Sequence, residues 1–203
     1  MEDQVILVDS NDNEVGVEGK LATHRSGQLH RAVSVFVFDS NGRLLLQKRA
    51  SDKYHSGGLW SNTCCGHPRP GEHRTSAARR RLREEMGVDC ELLQVFSFTY
   101  RAAFNNQLIE HEYDHVFFGK YDGDPMPSPE EVEDWAWMEL DSLHQDMINN
   151  PAFYSAWFVA CIEKMLTFRH VSLVGSTLQL GVLPSAHADS HSVCPATHSN
   201  GQQ

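Results

Sequence analysis

The feature that most constrains this chain is a fixed spacing of glycines and charged residues near its middle. Five residues separate Gly66 from Glu72, seven separate Glu72 from Arg80, and six separate Arg80 from Gly87. Apolar residues recur on one face over 72–86, and glycine commonly ends a helix. The spacing therefore predicts a loop, a helix over 72–86 and a second loop.

Carboxylates on this predicted helix point to a metal-binding function. Glu84 and Glu85 lie near its end, and Glu residues one turn apart share a helix face. Such groups bind hard divalent cations, which in turn hold phosphate oxygens. A helix laced with Arg–Glu salt bridges would explain a Glu pair alone, but here the glycines match at both ends. The whole pattern resembles the Nudix box, a loop–helix–loop that binds divalent metal and a diphosphate linkage.

One position departs from that resemblance. Nudix hydrolases have Glu directly after the Arg of the box, as part of the carboxylate set that holds the catalytic metals, and here that position is Arg81. Losing a ligand and gaining a cation disfavours metal-assisted hydrolysis. We therefore expect the diphosphate to be held and not cleaved.

The residues around the box carry a second resemblance. They are Ser61-Asn62-Thr63-Cys64-Cys65-Gly66-His67-Pro68, Tyr100-Arg101-Ala102, Glu110-His111-Glu112, and His24 and His30 upstream. In combination they resemble type I isopentenyl diphosphate isomerases, Nudix-fold relatives that interconvert isopentenyl and dimethylallyl diphosphates. The resemblance runs from about Val5 to the helix that carries Trp157. It implies an isomerase of isoprenoid biosynthesis.

The resemblance implies two metal sites. Its histidine and carboxylate ligands are His24, His30, His67, Glu110 and Glu112. We expect His24 and His30 to flank Gly27 in a loop, and the two glutamates, alternating along a strand, to share one face. Three imidazoles and two carboxylates suit Mn²⁺, Zn²⁺ or Fe²⁺. The resemblance also gives Glu85 and the Cys65 backbone carbonyl a Mg²⁺ ion that bridges to the substrate diphosphate.

The remaining residues follow from the reaction, which needs an acid and a base in a dry pocket. The resemblance assigns Cys65 and Glu112 to the acid/base pair, with Tyr100 beside the carboxylate, and leaves open which residue acts in which direction. Trp157 would shield the cation through its aromatic face, although a helix core is the alternative for this residue. The family positions that contact the phosphates are Lys20, Arg49, Lys53 and Arg81.

The pattern of elements predicts an α/β protein, layered as α+β, with a mixed β-sheet core flanked by helices in a Nudix-like fold. The expected strands cover 5–8, a hairpin of 32–38 and 43–47, 90–100, 110–121 and 135–140, and a second helix covers 152–168. We expect one isomerase domain over 1–170. The extension over 171–203 is Ser/His/Ala-rich towards its end, and we expect it to be largely disordered.

Composition narrows the function classes. The 203 residues contain 17 Lys and Arg against 27 Asp and Glu, a net charge of -10, which disfavours nucleic-acid binding. The acidic segment 122–134 is expected to face water. The sequence shows no signal-peptide pattern and no apolar stretch long enough to span a bilayer. We therefore expect a cytoplasmic enzyme without membrane insertion, acting on a small molecule as a monomer or weak dimer.

Two other functions remain open. A Nudix hydrolase of a nucleoside diphosphate derivative would release phosphate or nucleotide. A metal-binding, redox-sensing module built on Cys64 and Cys65 would need both thiols accessible, although adjacent cysteines strain disulfide geometry.

Overall fold

The computed structural model describes residues 3–53, 55–104 and 106–168. The strands are β1 (Gln4–Val8), β2 (Glu14–Gly19), β3 (His30–Phe38), β4 (Leu44–Arg49), β5 (Trp60–Ser61), β6 (Cys64–Gly66), β7 (Leu92–Ala103), β8 (Ile109–Lys120) and β9 (Val132–Met138). The helices are α1 (Lys20–Ser26), α2 (Arg74–Met86), α3 (Leu140–Asn149) and α4 (Ala156–Thr167), with a 3₁₀ turn at Pro151–Phe153.

The strands form one mixed sheet around β3. This strand pairs in parallel with β8 along its whole length, while β7 pairs antiparallel with β8, and β4 with β9. The register places Glu112 between His30 on one neighbouring strand and Tyr100 on the other. It also pairs Ser34 of β3 with Cys65 of β6. Sheet register therefore sets site residues that are distant in sequence side by side.

Two apolar layers cover the sheet, because successive residues of a strand point to opposite faces. Phe36 of β3 packs with Phe158 and Met165 on the face covered by α3 and α4. Its neighbours Val35 and Val37 pack on the other face, with the apolar side of α2. The mixed sheet flanked by helices is the architecture that the sequence predicted.

Most predicted elements are confirmed, with shifted ends. The helix of the box runs from Arg74 to Met86 and ends at Gly87, which adopts the left-handed φ of 65°. The single helix expected over 152–168 is wrong. A 3₁₀ turn precedes α4, and the extended backbone of Ser155 separates the two. The elements β2, β5, β6, α1 and α3 were not predicted.

The expected domain boundary stays a prediction. The proposed extension over 171–203 lies outside the described residues. None of the described helices combines the length and the apolar composition that a membrane span requires.

Candidate active site

One cleft brings the predicted site residues together. It has a volume of about 660 Å³. The predicted residues that line it are Lys20, Arg49, Lys53, Cys65, His67, Arg81, Glu85, Tyr100, Glu110, Glu112 and Trp157. The other two, His24 and His30, are fully buried beside His67, with ring centroids 5.7 and 5.0 Å from it. Residues from both halves of the described chain therefore form one continuous site.

The two upstream histidines are held by backbone carbonyls. His24 Nδ1 lies 2.6 Å from the Lys20 carbonyl and His30 Nδ1 lies 2.9 Å from the Gln28 carbonyl. Such bonds orient the other ring nitrogen for metal binding. The expectation that both flank Gly27 in a loop is wrong, since His24 lies in α1 and His30 begins β3. The connection from α1 to β3 is short because Gly27 adopts the left-handed φ of 69° that ends the helix.

Potential ligand atoms converge at the predicted His/Glu metal site. His30 Nε2 lies 3.2 Å from His67 Nε2, and Glu112 Oε1 lies 2.9 Å from His67 Nε2 and 3.5 Å from His30 Nε2. With His24, these groups place their ligand atoms within 4.8 Å of one another. Imidazole nitrogens with lone pairs and a carboxylate are all potential metal ligands. Gathered this closely, they are better suited to binding a divalent ion than to hydrogen bonding with one another. The donor set suits a borderline transition metal.

A histidine that the sequence did not single out adjoins this cluster. His55 is 8% exposed, and its Nε2 lies 3.2 Å from Glu110 Oε1. Its ring stacks on Phe104 at a centroid distance of 5.1 Å. Burial, and then the charge of Arg49, lowers the pKa of His55 to about 3. The only sequence signal was its place two residues after Lys53.

Tyr100 joins the two carboxylates. Its hydroxyl lies 2.9 Å from Glu110 Oε2 and 2.7 Å from Glu112 Oε2, so both glutamates do share one face as predicted. Burial and the neighbouring charge of Glu112 raise the pKa of Glu110. Burial acts in the same direction on Glu112, but hydrogen bonds from His30 and His67 hold its pKa well below the usual value. These surroundings therefore favour the protonated form of Glu110 and the ionised form of Glu112.

The thiol of Cys65 lies in a partly buried, polar corner of the cleft. It donates to Asn62 Oδ1 at 3.1 Å and lies 3.5 Å from the Ser34 hydroxyl. Ser34 in turn donates to Asp114 Oδ2 at 2.6 Å. Burial, and then the charge of Asp114, raises the pKa of the Cys65 thiol, and burial also raises the pKa of Asp114 to about 8. At neutral pH Cys65 therefore keeps its proton. Asp114 is a second site residue that the sequence did not single out.

Two predicted phosphate-binding residues of the cleft, Lys53 and Arg81, are paired with carboxylates. Arg81 donates to Glu85 at 2.5 Å and to Glu84 at 2.7 Å, and it lies 3.4 Å from Glu131. Lys53 forms an ion pair with Glu131. The expectation that the whole acidic segment faces water is wrong for Glu131, because its backbone carbonyl accepts from Ala50 at the end of β4 and draws the loop onto the cleft.

Trp157 belongs to both the core and the cleft. Its side chain is 4% exposed and packs with the α3–α4 layer, yet it also lines the cleft. The indole N–H donates to Asn62 Oδ1 at 3.1 Å. The Arg49 guanidinium carbon lies 5.1 Å from the ring centroid. The two interpretations of this residue are therefore compatible.

Comparisons with known proteins agree with this geometry. The chain matches the NUDIX domain family over residues 28–158. It is 63% identical over 169 residues to isopentenyl-diphosphate Delta-isomerase 1 of Aromatoleum aromaticum, which covers 83% of this chain and 96% of that protein. The chain belongs to the isopentenyl-diphosphate Delta-isomerase family. Another family member, from Serratia proteamaculans, is 51% identical and covers 81% of this chain and 92% of that protein.

Solved structures establish the fold of this isomerase-family chain. A Deinococcus radiodurans protein superposes with a TM-score of 0.68 at 20% identity, covering 80% of this chain and 98% of that one. A MutT Nudix hydrolase from Burkholderia pseudomallei superposes with a TM-score of 0.53 at 22% identity, covering 67% of this chain and 97% of that one. These likenesses confirm the predicted Nudix-like fold.

In this isomerase-family chain the Nudix box also stabilises the wall of the cleft. The Arg80 side chain donates to the two carboxylate oxygens of Glu72, each at 2.8 Å, and to the backbone carbonyl of His67 at 3.2 Å. Glu72 also accepts from the backbone N–H of Arg69 at 2.9 Å. The Arg–Glu pair therefore fixes the loop that carries one of the clustered histidines.

Proposed function

We propose that this chain interconverts isopentenyl and dimethylallyl diphosphates by adding a proton at one end of an allylic unit and removing one at the other. The observation that carries the proposal is that the Cys65 thiol and the Glu112 carboxylate line one cleft, where burial raises the pKa of the thiol and hydrogen bonds from His30 and His67 lower the pKa of the carboxylate. Protonation of the terminal alkene carbon gives a species close to a tertiary carbocation, and loss of an allylic proton completes the shift.

The protonation states support a division of labour. Cys65 can deliver its proton to the alkene, and the Glu112 carboxylate can receive the allylic proton. The reaction is balanced, since one proton enters and one leaves. Tyr100 donates towards Glu112 and fixes the direction of its carboxylate. The reverse reaction uses the same groups in opposite roles.

The clustered histidines and carboxylates suit one divalent ion, and the family resemblance implies a second. His24, His30, His67, Glu110 and Glu112 would hold Mn²⁺, Zn²⁺ or Fe²⁺. Glu85 and the Cys65 backbone carbonyl would hold Mg²⁺ at the substrate diphosphate. When bound, these ions supply positive charge that stabilises ionised carboxylates and phosphate oxygens.

The rest of the cleft suits the two ends of the substrate. Lys20, Arg49, Lys53 and Arg81 would bind the diphosphate, and binding would compete with the present carboxylate partners of Lys53 and Arg81. Trp157 would face the carbocation, which it can stabilise without trapping it as a nucleophile would. We place the enzyme in the cytoplasm as a monomer or weak dimer.

One incubation tests the activity. The metal-loaded protein is mixed with isopentenyl diphosphate and Mg²⁺ in deuterated water, and products are followed by NMR. Dimethylallyl diphosphate carrying solvent deuterium is expected, and Cys65→Ala should produce none. Release of phosphate or nucleotide from a nucleoside diphosphate derivative, without isomerisation, would favour the hydrolase instead.

A further inference from the structure

A buried amide connects the two sides of the cleft. Asn62 is 0% exposed, and its Nδ2 donates to the backbone carbonyls of Val35, at 3.1 Å, and Cys64, at 2.9 Å. Since both neighbours of Nδ2 are acceptors, the amide can take only one orientation. Its Oδ1 is therefore fixed and directed towards the cleft residues.

Two site residues donate to that oxygen. The Cys65 thiol and the Trp157 indole N–H each lie 3.1 Å from Asn62 Oδ1. The Ser61 hydroxyl also lies 3.1 Å from it, but this hydroxyl has an alternative partner in Ser155 at 2.9 Å. An amide oxygen has two lone pairs, and the thiol and the indole are sufficient to use both.

We propose that Asn62 is a positioning residue that holds the Cys65 thiol and the Trp157 indole at a fixed separation. The inference rests on the proposed function, in which the thiol delivers a proton and the indole faces the resulting cation. Both groups must address the same carbon skeleton, so a shared anchor sets their geometry. An indole bonded through its edge to Oδ1 is also prevented from rotating its face out of the cleft.

The second neighbour of the thiol restricts it further. The Ser34 hydroxyl lies 3.5 Å from the Cys65 sulfur and 2.6 Å from Asp114 Oδ2, so it restricts where the sulfur can lie. The S–H group itself donates to Asn62 Oδ1. The Asn62 anchor therefore also sets the direction of the S–H bond from which the proton leaves.

The test compares Asn62→Ala, Ser61→Ala, Trp157→Phe and the Asn62→Ala/Trp157→Phe double variant. Displacing a reacting group by about 1 Å can cost about 100-fold in rate, so kcat of Asn62→Ala should fall about 100-fold with KM changed less than about threefold. Trp157→Phe keeps an aromatic face but loses the N–H, and its kcat should fall about tenfold. Because both variants break one connection, the double variant should lose no more than Asn62→Ala alone.

Ser61→Ala is the matched control, since Ser61 is equally buried and contacts the same oxygen. Its kcat should stay within about threefold of wild type. Thermal unfolding and bound metal are measured for every variant. Equal losses in Asn62→Ala and Ser61→Ala, or losses that multiply in the double variant, would overturn the proposal. If Asn62→Ala does not fold, a kcat of Trp157→Phe within threefold of wild type would overturn the proposal instead.

A separate readout covers failure of the proposed function. If wild type does not isomerise the substrate, the rate at which iodoacetamide alkylates Cys65 is followed by peptide mass spectrometry. Loss of the anchor should change that rate at least about fivefold in Asn62→Ala and leave it unchanged in Ser61→Ala. Equal rates in all variants would reject the anchor independently of catalysis.

Discussion

Glu112→Gln removes the negative charge at the centre of the site. The carboxylate accepts from His67 at 2.9 Å through Oε1 and from Tyr100 at 2.7 Å through Oε2, and His30 Nε2 lies 3.5 Å from Oε1. The amide has nearly the same shape, so the cleft should keep its form. What changes is the charge and the ability to accept a proton from carbon.

We expect Glu112→Gln to lose catalytic rate and, separately, metal affinity. A positioned general base contributes about 10²- to 10⁴-fold to rate, so kcat should fall about 1,000-fold, which corresponds to about 4 kcal/mol in the activation free energy. Loss of one charged ligand should also weaken metal binding. The free energy of unfolding should change by less than about 2 kcal/mol, because the lost hydrogen bonds are offset by no longer burying a charge.

The assay separates these losses. Wild type and Glu112→Gln are stripped with a chelator and titrated with Mn²⁺, and kcat is then measured in deuterated water at saturating metal. Glu133→Gln, which removes only an exposed ion pair with Lys48, is the control and should match wild type. If saturating Mn²⁺ restores the kcat of Glu112→Gln to within tenfold of wild type, Glu112 is a ligand and not the base.

Three further outcomes are expected. Cys65→Ala should abolish turnover and leave Mn²⁺ affinity unchanged; residual turnover near wild type removes the thiol from the mechanism. Trp157→Ala should lower kcat at least about tenfold beyond any change in KM and cost about 3–5 kcal/mol of stability; a loss confined to KM would assign the residue to packing. His55 has a folded pKa of about 3, below the 6.5 of an unfolded histidine, so it stabilises the fold above pH 6.5 and this contribution is lost as pH falls towards 3. In urea titrations of metal-free protein, the free energy of unfolding of wild type relative to His55→Gln should therefore fall by about 1.4 kcal/mol per pH unit below pH 6.5. A difference that does not change with pH would contradict the pKa assignment.

The sequence predicted the parts of the site that depend on local pattern. The alternation of Glu110 and Glu112 along a strand put both on one face, where they meet Tyr100. The glycine spacing of the box predicted a helix that ends at Gly87. Both inferences need only the residue periodicity of a single helix or strand, which can be seen in the sequence.

The residues that were missed depend on tertiary contacts. His55 and Glu131 lie in connections without a regular period, and they reach the cleft because separate elements hold those connections against it. Asp114 belongs to the same strand face as Glu112, and the parallel pairing of β3 with β8 sets it beside Ala32, two residues from Ser34, whose hydroxyl contacts it. Sequence alone does not give strand order, so it could not show which polar residue of β8 would meet the thiol.

The charge of the site shows how an acidic protein can hold an anion. The residues that line the cleft include six basic ones, Lys20, Arg49, Lys53, Arg69, Arg80 and Arg81, and five acidic ones, Asp3, Glu85, Glu110, Glu112 and Glu131. A diphosphate entering this cleft without metal would have to displace carboxylates from Lys53 and Arg81. Divalent ions on the glutamates would add positive charge beside it. The net charge of -10 therefore does not oppose the proposed function, because the carboxylates would be the means by which positive charge is brought to the diphosphate.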